Sequence, residues 1–244
     1  MQEKILTVRC FCAILWKKEA IPLNKAKFGL NATHLRILAL GLMLLDHLWA
    51  TVVPGNNWMT YLGRMAFPIF AFQAAEGYHH THDFNAYCKR LALFALISEI
   101  PFNLMLMSSP IFPFHQNVML TLLLGLLACR SYDRKRWLAV AGWIILGAVS
   151  FCDYGSLGVV SVLMFHIFRG QKLFQLLMLI AINGFGYEGQ QLLLGRFEIP
   201  VQAFAIGAFL PICLYNSDKG KGGKWLQYGS YIFYPAHMLI LWLL

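Results

Sequence analysis

An aspartate and a histidine stand side by side in the apolar stretch LLDHLW, at positions 46 and 47. Three more apolar segments carry an ionisable residue inside the run, namely Glu76, Glu99 and His237. In a helix beginning near His34, His47 would lie about 20 Å along the axis, past the centre of a hydrocarbon core about 30 Å thick. An ionisable group at that depth is unfavourable, so four of them indicate a functional site. The alternative, that they join helices by hydrogen bonds, explains one residue better than four.

Helical geometry predicts which of these side chains can meet. Successive residues point about 100° apart, so Asp46 cannot hold the imidazole of His47, and each must contact a different neighbour. Glu99 and Asn103 are four residues apart and share a helix face. Pro235 lacks an N–H, which is expected to loosen the helix beside His237 and let backbone groups face a cavity.

The composition predicts a membrane protein built from helices. Hydrophobic residues make up 59% of the 244-residue chain and charged residues 13%, whereas a soluble domain has about a quarter charged residues. The predicted fold class is an all-α integral membrane protein, a polytopic bundle of about nine transmembrane helices. The predicted spans are roughly 34–53, 65–80, 89–107, 117–130, 137–151, 156–168, 173–187, 199–215 and 225–243.

Positive charge predicts the orientation. All but Arg64 and Arg196 of the 20 lysines and arginines fall on one side of this topology, which marks that side as cytoplasmic. The N-terminus is then inside, and the net charge of +9 is explained without nucleic acid as a partner. Residues 1–30 are predicted to form a basic interfacial segment, because their apolar stretch is too short to span. Residues 31–244 form a single transmembrane domain.

No metal site is expected. The six cysteines show no paired spacing of the kind that binds zinc. The stretch EGYHHTHD holds three histidines, but it lies where the second predicted span leaves the membrane, and histidines at such a border are ordinary.

Six stretches, in order, resemble the TraX family. They are LMLLDH, LGRMAFPIFAFQAAEGYHHT, YCKRLALFALISEIPFN, QNVMLTLLLGLLA, CDYGSLGVV and LYNSDKGKGGKWLQYGSYIFYPAHMLIL, and the resemblance runs from about residue 31 to residue 244. The family is named for the protein needed to N-acetylate F-type pilin. The resemblance implies a multi-pass protein of the bacterial cytoplasmic membrane. It also implies transfer of an acetyl group from cytoplasmic acetyl-CoA to an amine or hydroxyl of a peptide or small molecule.

Acetyl transfer needs a base, donors for the oxyanion of the tetrahedral intermediate, and a cationic entrance for the phosphates of CoA. The candidate catalytic residues are His47 as base, His237 as the second choice of base, and Asp46 and Glu99 to orient an imidazole of another helix. Substrate contacts are predicted for the other polar residues near these spans: Glu76, Asn103, Arg64, Arg90, Asp153 and Tyr154. Of these, Arg90 faces the acetyl-CoA side.

Two other functions remain open on the sequence. A proton-coupled secondary transporter would also place carboxylates and histidines at the midplane. A non-catalytic assembly factor for conjugation or secretion is the third possibility. The sequence does not predict the oligomeric state.

Overall fold

The computed structural model describes residues 29–187, 190–194, 197–220 and 223–244, and they fold mainly into helices. The long helices are α1 (Ala32–Thr51), α3 (Ala66–His80), α4 (Phe84–Met107), α5 (Val118–Asp133), α6 (Trp137–Val149), α7 (Gly155–Ile167), α8 (Lys172–Phe185) and α10 (Gly223–Leu243). Short helices are α2 (Trp58–Gly63), a 3₁₀ helix (Val201–Ala208) and α9 (Phe209–Cys213). Strands β1 (Gln191–Leu194) and β2 (Phe197–Pro200) form an antiparallel hairpin.

Polar side chains at the ends of apolar runs explain where three helices begin. Asn31 accepts a hydrogen bond from the backbone N–H of His34 at 2.9 Å before α1. Asp83 does the same for the N–H of Ala86 before α4, and Asn117 accepts from the N–H of Met119 before α5. Such caps satisfy backbone donors that have no partner within the helix.

Helix α3 lies at the centre of the bundle and contacts α1, α5 and α7. Its buried residues include several alanines, which let neighbouring helices approach closely. Helix α5 also packs tightly against α7. The absence of a side chain at Gly125 allows this approach, since a Cβ atom there would collide with the side chain of Val162. Helix α10 packs between α4 and α1 and so brings His237 next to α1.

The helical bundle is confirmed, with two local corrections. The predicted eighth span is a 3₁₀ helix of 8 residues followed by a helix of 5. The β hairpin before it departs from the all-α prediction. The stretch NGFGYEGQQ that leads into the hairpin is poor in helix formers, and Leu192 pairs across the hairpin with Ile199.

Within the described residues, α4 alone has both the length and the hydropathy to cross a membrane. It has 24 residues, which corresponds to about 36 Å. Four shorter apolar segments coincide with α6, α7, α8 and the 3₁₀ helix with α9. The membrane location and the nine spans therefore stay predictions.

The described chain begins beside the segment that follows α9. Leu30 forms a parallel bridge with Tyr215, and its N–H donates to the carbonyl of Leu214 at 2.8 Å. The predicted interfacial segment, residues 1–30, lies outside the described residues except for its last two.

Candidate active site

Four cavities follow one another through the bundle. The first, which we call the basic cavity, has a volume of about 510 Å³ and is bordered by Arg36, Arg90 and Lys219. The second, the apolar passage, has about 110 Å³ and is lined mainly by α1, α3, α4, α5 and α10. The third, the central cavity, has about 200 Å³ and contains His47 on its wall. The fourth, the far cavity, has about 250 Å³ and lies beside the β hairpin.

Neighbouring cavities share lining residues, so they form a row. The basic cavity and the apolar passage share Arg36, Gln73, Tyr87 and Tyr231. The apolar passage and the central cavity share Met43, Phe70, Val118 and Tyr234. The central and far cavities share Arg64, Asp153 and Tyr154. The row therefore extends from the start of α1 to the turns beyond its end.

His47 and His237 meet at the wall of the central cavity. Nδ1 of His47 lies 2.7 Å from Nε2 of His237, and the two ring planes are within 6° of parallel. Nδ1 of His237 lies 2.8 Å from the backbone carbonyl oxygen of Phe233. His47 lines the central cavity and His237, which is 4% exposed, does not, so His47 is the member of this pair that faces the cavity.

Asp46 points away from His47, as the 100° offset predicts. Its carboxylate forms an ion pair with Arg64 and accepts a hydrogen bond from the hydroxyl of Thr60 at 2.8 Å. The approach of α2 to α1 depends on Gly63, because a Cβ atom there would collide with Asp46. Nε of Arg64 is buried and has no hydrogen-bond partner among the described residues.

Asp153 and Tyr154 lie in the turn before α7, between the central and far cavities. The ring of Tyr154 stacks on Phe67, with centroids 3.8 Å apart. Nε2 of His115 lies 3.7 Å from the Asp153 carboxylate. The nearby carboxylate of Asp153 raises the pKa of His115 above its ordinary value, against the opposing effect of partial burial.

Glu99 and Asn103 lie elsewhere, and the hydrogen-bond partners of Glu99 are asparagines rather than the imidazole that the sequence predicted. Glu99 accepts hydrogen bonds from the Asn117 amide at 2.5 Å and from the Asn117 backbone N–H at 3.3 Å. Asn103 donates to the other oxygen of Glu99 at 3.3 Å. Glu99 therefore fastens the start of α5 to α4, and neither residue lines the four cavities.

Glu76 lies near the end of α3, not at the depth of His47. Arg169, in the loop after α7, donates to both of its carboxylate oxygens, at 2.8 and 3.1 Å, and His80 is 3.4 Å away. The hydrogen bonds with Glu76 raise the pKa of Arg169. Glu76 lines the basic cavity, as does Arg90. Glu76 therefore lines a different cavity from His47, four residues before α3 ends at His80.

A second histidine pair, which the sequence did not predict, lies at the same end as the basic cavity. Nδ1 of His166 is 3.0 Å from Nε2 of His79, and Nε2 of His166 is 2.8 Å from the Asp133 carboxylate. The hydroxyl of Tyr78 donates to the same carboxylate at 2.6 Å. The HHTH stretch was visible in the sequence, but its partners on α5 and α7 were not.

In the described part of the chain, no group of three or more histidine, cysteine, aspartate or glutamate residues is arranged to hold a metal ion. Hydrogen bonds of the site connect neighbouring helices. The site can accept a proton at His47 and present a cation at Arg64.

These features define a helical bundle with a buried polar site whose cavity adjoins another cavity on each side. The family model described as TraX protein matches residues 31–244, and the chain belongs to the TraX family. The chain is 25% identical over 229 residues to a Dichelobacter nodosus protein named "Probable fimbrial assembly protein FimC, serogroup H1". That alignment covers 86% of this chain and 94% of the relative. No solved structure matches.

Proposed function

We propose that this protein is a membrane acetyltransferase that acts in the assembly of a pilus or fimbria. Acetyl-CoA enters the basic cavity, and the acceptor, an amine or a hydroxyl, reaches the central cavity from the far cavity. The observation that carries the proposal is the row of cavities that joins a cationic entrance to a histidine at the centre of the bundle. Family membership and the name of the fimbrial relative support the assembly role.

A membrane location fits the outer surface of the bundle. Large apolar side chains are exposed on several helices, among them Leu96 at 75%, Leu138 at 92% and Ile240 at 58%. Exposed apolar area on this scale is unusual for a soluble monomer and is typical of contact with lipid or another protein. The bacterial cytoplasmic membrane, with the basic cavity inside, agrees with the distribution of lysines and arginines.

The basic cavity suits the phosphates of CoA. Arg36, Arg90 and Lys219 supply three positive charges around it, and guanidinium groups bind phosphate oxygens with two parallel hydrogen bonds. Nε of Arg90 is buried and has no partner within the described residues. Arg36 and His47 are about 16 Å apart along α1. The pantetheine arm of CoA would lie in the apolar passage between them.

At the central cavity, His47 acts as the base. The acceptor nitrogen or oxygen attacks the thioester carbonyl, and His47 takes its proton. The C–S bond breaks, and the proton passes to the CoA sulfur, so that an acetylated acceptor and free CoA leave. The Nε–H of Arg64 donates to the oxyanion while Asp46 holds the guanidinium in place.

The experiment uses the full-length protein in lipid nanodiscs with labelled acetyl-CoA and a tripeptide that has a free amino terminus. We expect CoA release and an acetylated tripeptide, both lost in His47→Gln. Acetyl-CoA that stays intact with this acceptor and with a hydroxyl acceptor would overturn the proposal.

A proton-coupled transporter is the second candidate, because the same row of cavities crosses the bundle. It predicts uptake of a solute into proteoliposomes that follows an imposed proton gradient. Acetyl transfer without gradient-driven uptake would exclude this candidate.

A further inference from the structure

The hydrogen bonds around His237 determine where its proton lies. The carbonyl oxygen of Phe233 only accepts hydrogen bonds, so Nδ1 of His237, 2.8 Å away, must carry the hydrogen. A neutral imidazole has one N–H. Nε2 of His237 therefore presents a lone pair.

This lone pair sets the tautomer of its neighbour. Nε2 of His237 lies 2.7 Å from Nδ1 of His47, and a hydrogen bond at that distance needs one proton between them. Since His237 supplies the lone pair, Nδ1 of neutral His47 must carry the hydrogen. Nε2 of His47 is then the nitrogen that is free to accept a proton.

The surrounding rings hold this arrangement in one orientation. The ring of Phe233 is stacked on His237, with centroids 4.9 Å apart and planes 10° from parallel. His237 in turn lies within 6° of parallel to His47. Because His237 is buried and does not line the central cavity, it acts through His47.

We infer that His237 is a positioning residue that fixes His47 as the Nδ1–H tautomer and leaves Nε2 of His47 as the reactive nitrogen. The catalytic role of His237 rests on the proposed function. The tautomer of His47 does not, because it follows from the hydrogen bonds alone. When Nε2 takes the proton of the acceptor, Nδ1 keeps its hydrogen bond to His237. The imidazolium formed in the reaction is therefore stabilised without any movement of the pair. The proton then leaves Nε2 for the CoA sulfur, and both histidines return to their starting tautomers.

Two substitutions separate this role from a merely structural one. In His237→Gln, the side-chain oxygen can still accept from Nδ1–H of His47. In His237→Met, the volume is similar and no comparable acceptor remains. We expect kcat to fall about 100-fold in His237→Met, the scale of lost acid–base catalysis, with little change in KM for acetyl-CoA. His237→Gln should restore kcat to within about tenfold of wild type, since general-base geometry is kept.

The second histidine pair provides the matched control. A ring nitrogen of His166 lies 3.0 Å from one of His79, and the two rings are again nearly parallel. His166 lines none of the four cavities. His166→Gln and His166→Met should therefore leave the same kinetic constants close to those of wild type. Equal losses of kcat in the two methionine variants would show a general effect of disturbing a histidine pair and would overturn the inference.

The decisive measurement is ¹⁵N NMR of histidine-labelled protein without substrate, with His47 assigned by difference from His47→Gln. Above the titration range, wild type should show a protonated Nδ1 and an unprotonated Nε2 at His47. His237→Met should shift this tautomer, and His237→Gln should keep it. The inference is overturned if wild-type His47 carries its hydrogen on Nε2, or if His237→Met leaves the tautomer and kcat unchanged. The spectrum is recorded without turnover. It therefore tests the tautomer even if the protein proves not to transfer acetyl groups.

Discussion

The two histidine pairs have nearly the same geometry and different surroundings. His47 and His237 have their bonded nitrogens 2.7 Å apart and their rings 6° from parallel. His79 and His166 have values of 3.0 Å and 16°. In both pairs the second imidazole bonds another acceptor through its remaining nitrogen. That acceptor is a backbone carbonyl for His237 and the Asp133 carboxylate for His166.

Access distinguishes the two pairs. His47 faces the central cavity, whereas neither His79 nor His166 lines any of the four cavities. The carboxylate beside His166 also binds the hydroxyl of Tyr78, so this network joins α3, α5 and α7. A hydrogen-bonded histidine pair is therefore not a catalytic signature by itself. What matters is whether one nitrogen is left facing space that a substrate can fill.

The largest expected effect separates the pairs by activity. His47→Gln should reduce kcat about 10³-fold, because the cavity loses its base, while thermal stability stays near that of wild type. His79→Gln is the matched substitution in the other pair and should retain kcat. Measuring acetyl transfer and thermal unfolding side by side tests this. The comparison fails if His79→Gln is the more damaging variant for turnover.

Asp46→Ala should have the next largest effect on turnover. It removes the counter-charge of Arg64 and one acceptor of Thr60, and we expect a loss of about 2 kcal/mol of stability. Asp46→Asn keeps the shape and one acceptor, so it should lose less activity and less stability. Equal activity in the two variants would show that Arg64 does not depend on Asp46 for its position.

Substitutions in the second histidine pair should lower the free energy of unfolding more than they lower kcat. His166→Met removes the hydrogen bonds to His79 and Asp133, and we expect a loss of about 1–3 kcal/mol of unfolding free energy. Chemical denaturation in one detergent measures it, with kcat as the second readout. A loss of kcat as large as that in His47→Gln would place the second pair in the reaction.

Removing a positive charge from the basic cavity should weaken binding of acetyl-CoA and affect the reaction at His47 and His237 less. Arg90→Gln should raise KM for acetyl-CoA about tenfold, equivalent to one lost charge-assisted contact, with a smaller change in kcat. Lys89→Gln is the control, because the exposed Lys89 is adjacent in sequence and does not line the cavity. A kcat effect that exceeds the KM effect would instead connect Arg90 to the transition state.

The smallest expected effect concerns His115, a histidine whose partner is a carboxylate in a loop. The pKa of His115 is raised in the folded protein by Asp153, so its contribution to stability is full below the unfolded value of about 6.5. The contribution is lost as pH rises through the folded pKa. The difference in Tm between wild type and His115→Gln should therefore be larger at about pH 6 than at about pH 8. A constant difference would show that the contact with Asp153 does not stabilise the protein.

The sequence predicted the helices well where a long apolar run was bounded by polar caps. Asn117 before α5 is an example, since its side chain begins the helix. The hairpin of β1 and β2 was not predictable, because two four-residue strands are stabilised by pairing with each other. The membrane-spanning nature of these helices stays a prediction.

For the site, local geometry predicted that Asp46 and His47 serve different neighbours, and their partners are Arg64 and His237. The role predicted for Glu99 was to orient an imidazole. Its partner is instead Asn117, a helix cap 18 residues away. Depth counted along the chain cannot distinguish a carboxylate that faces a cavity from one that fastens two helices. That difference depends on packing between helices.

The ion pair of Asp46 with Arg64 also limits which residues can stand at position 63. A Cβ atom at position 63 would meet both the Cβ atom and the backbone Cα atom of Asp46, so losing the acid alone would not make room for it. Even a methyl group at 63 would therefore push α2 away from α1 and carry Arg64, the next residue, away from its carboxylate. We therefore expect position 63 to remain glycine wherever this ion pair is kept, although the two positions are separated by 17 positions in the chain.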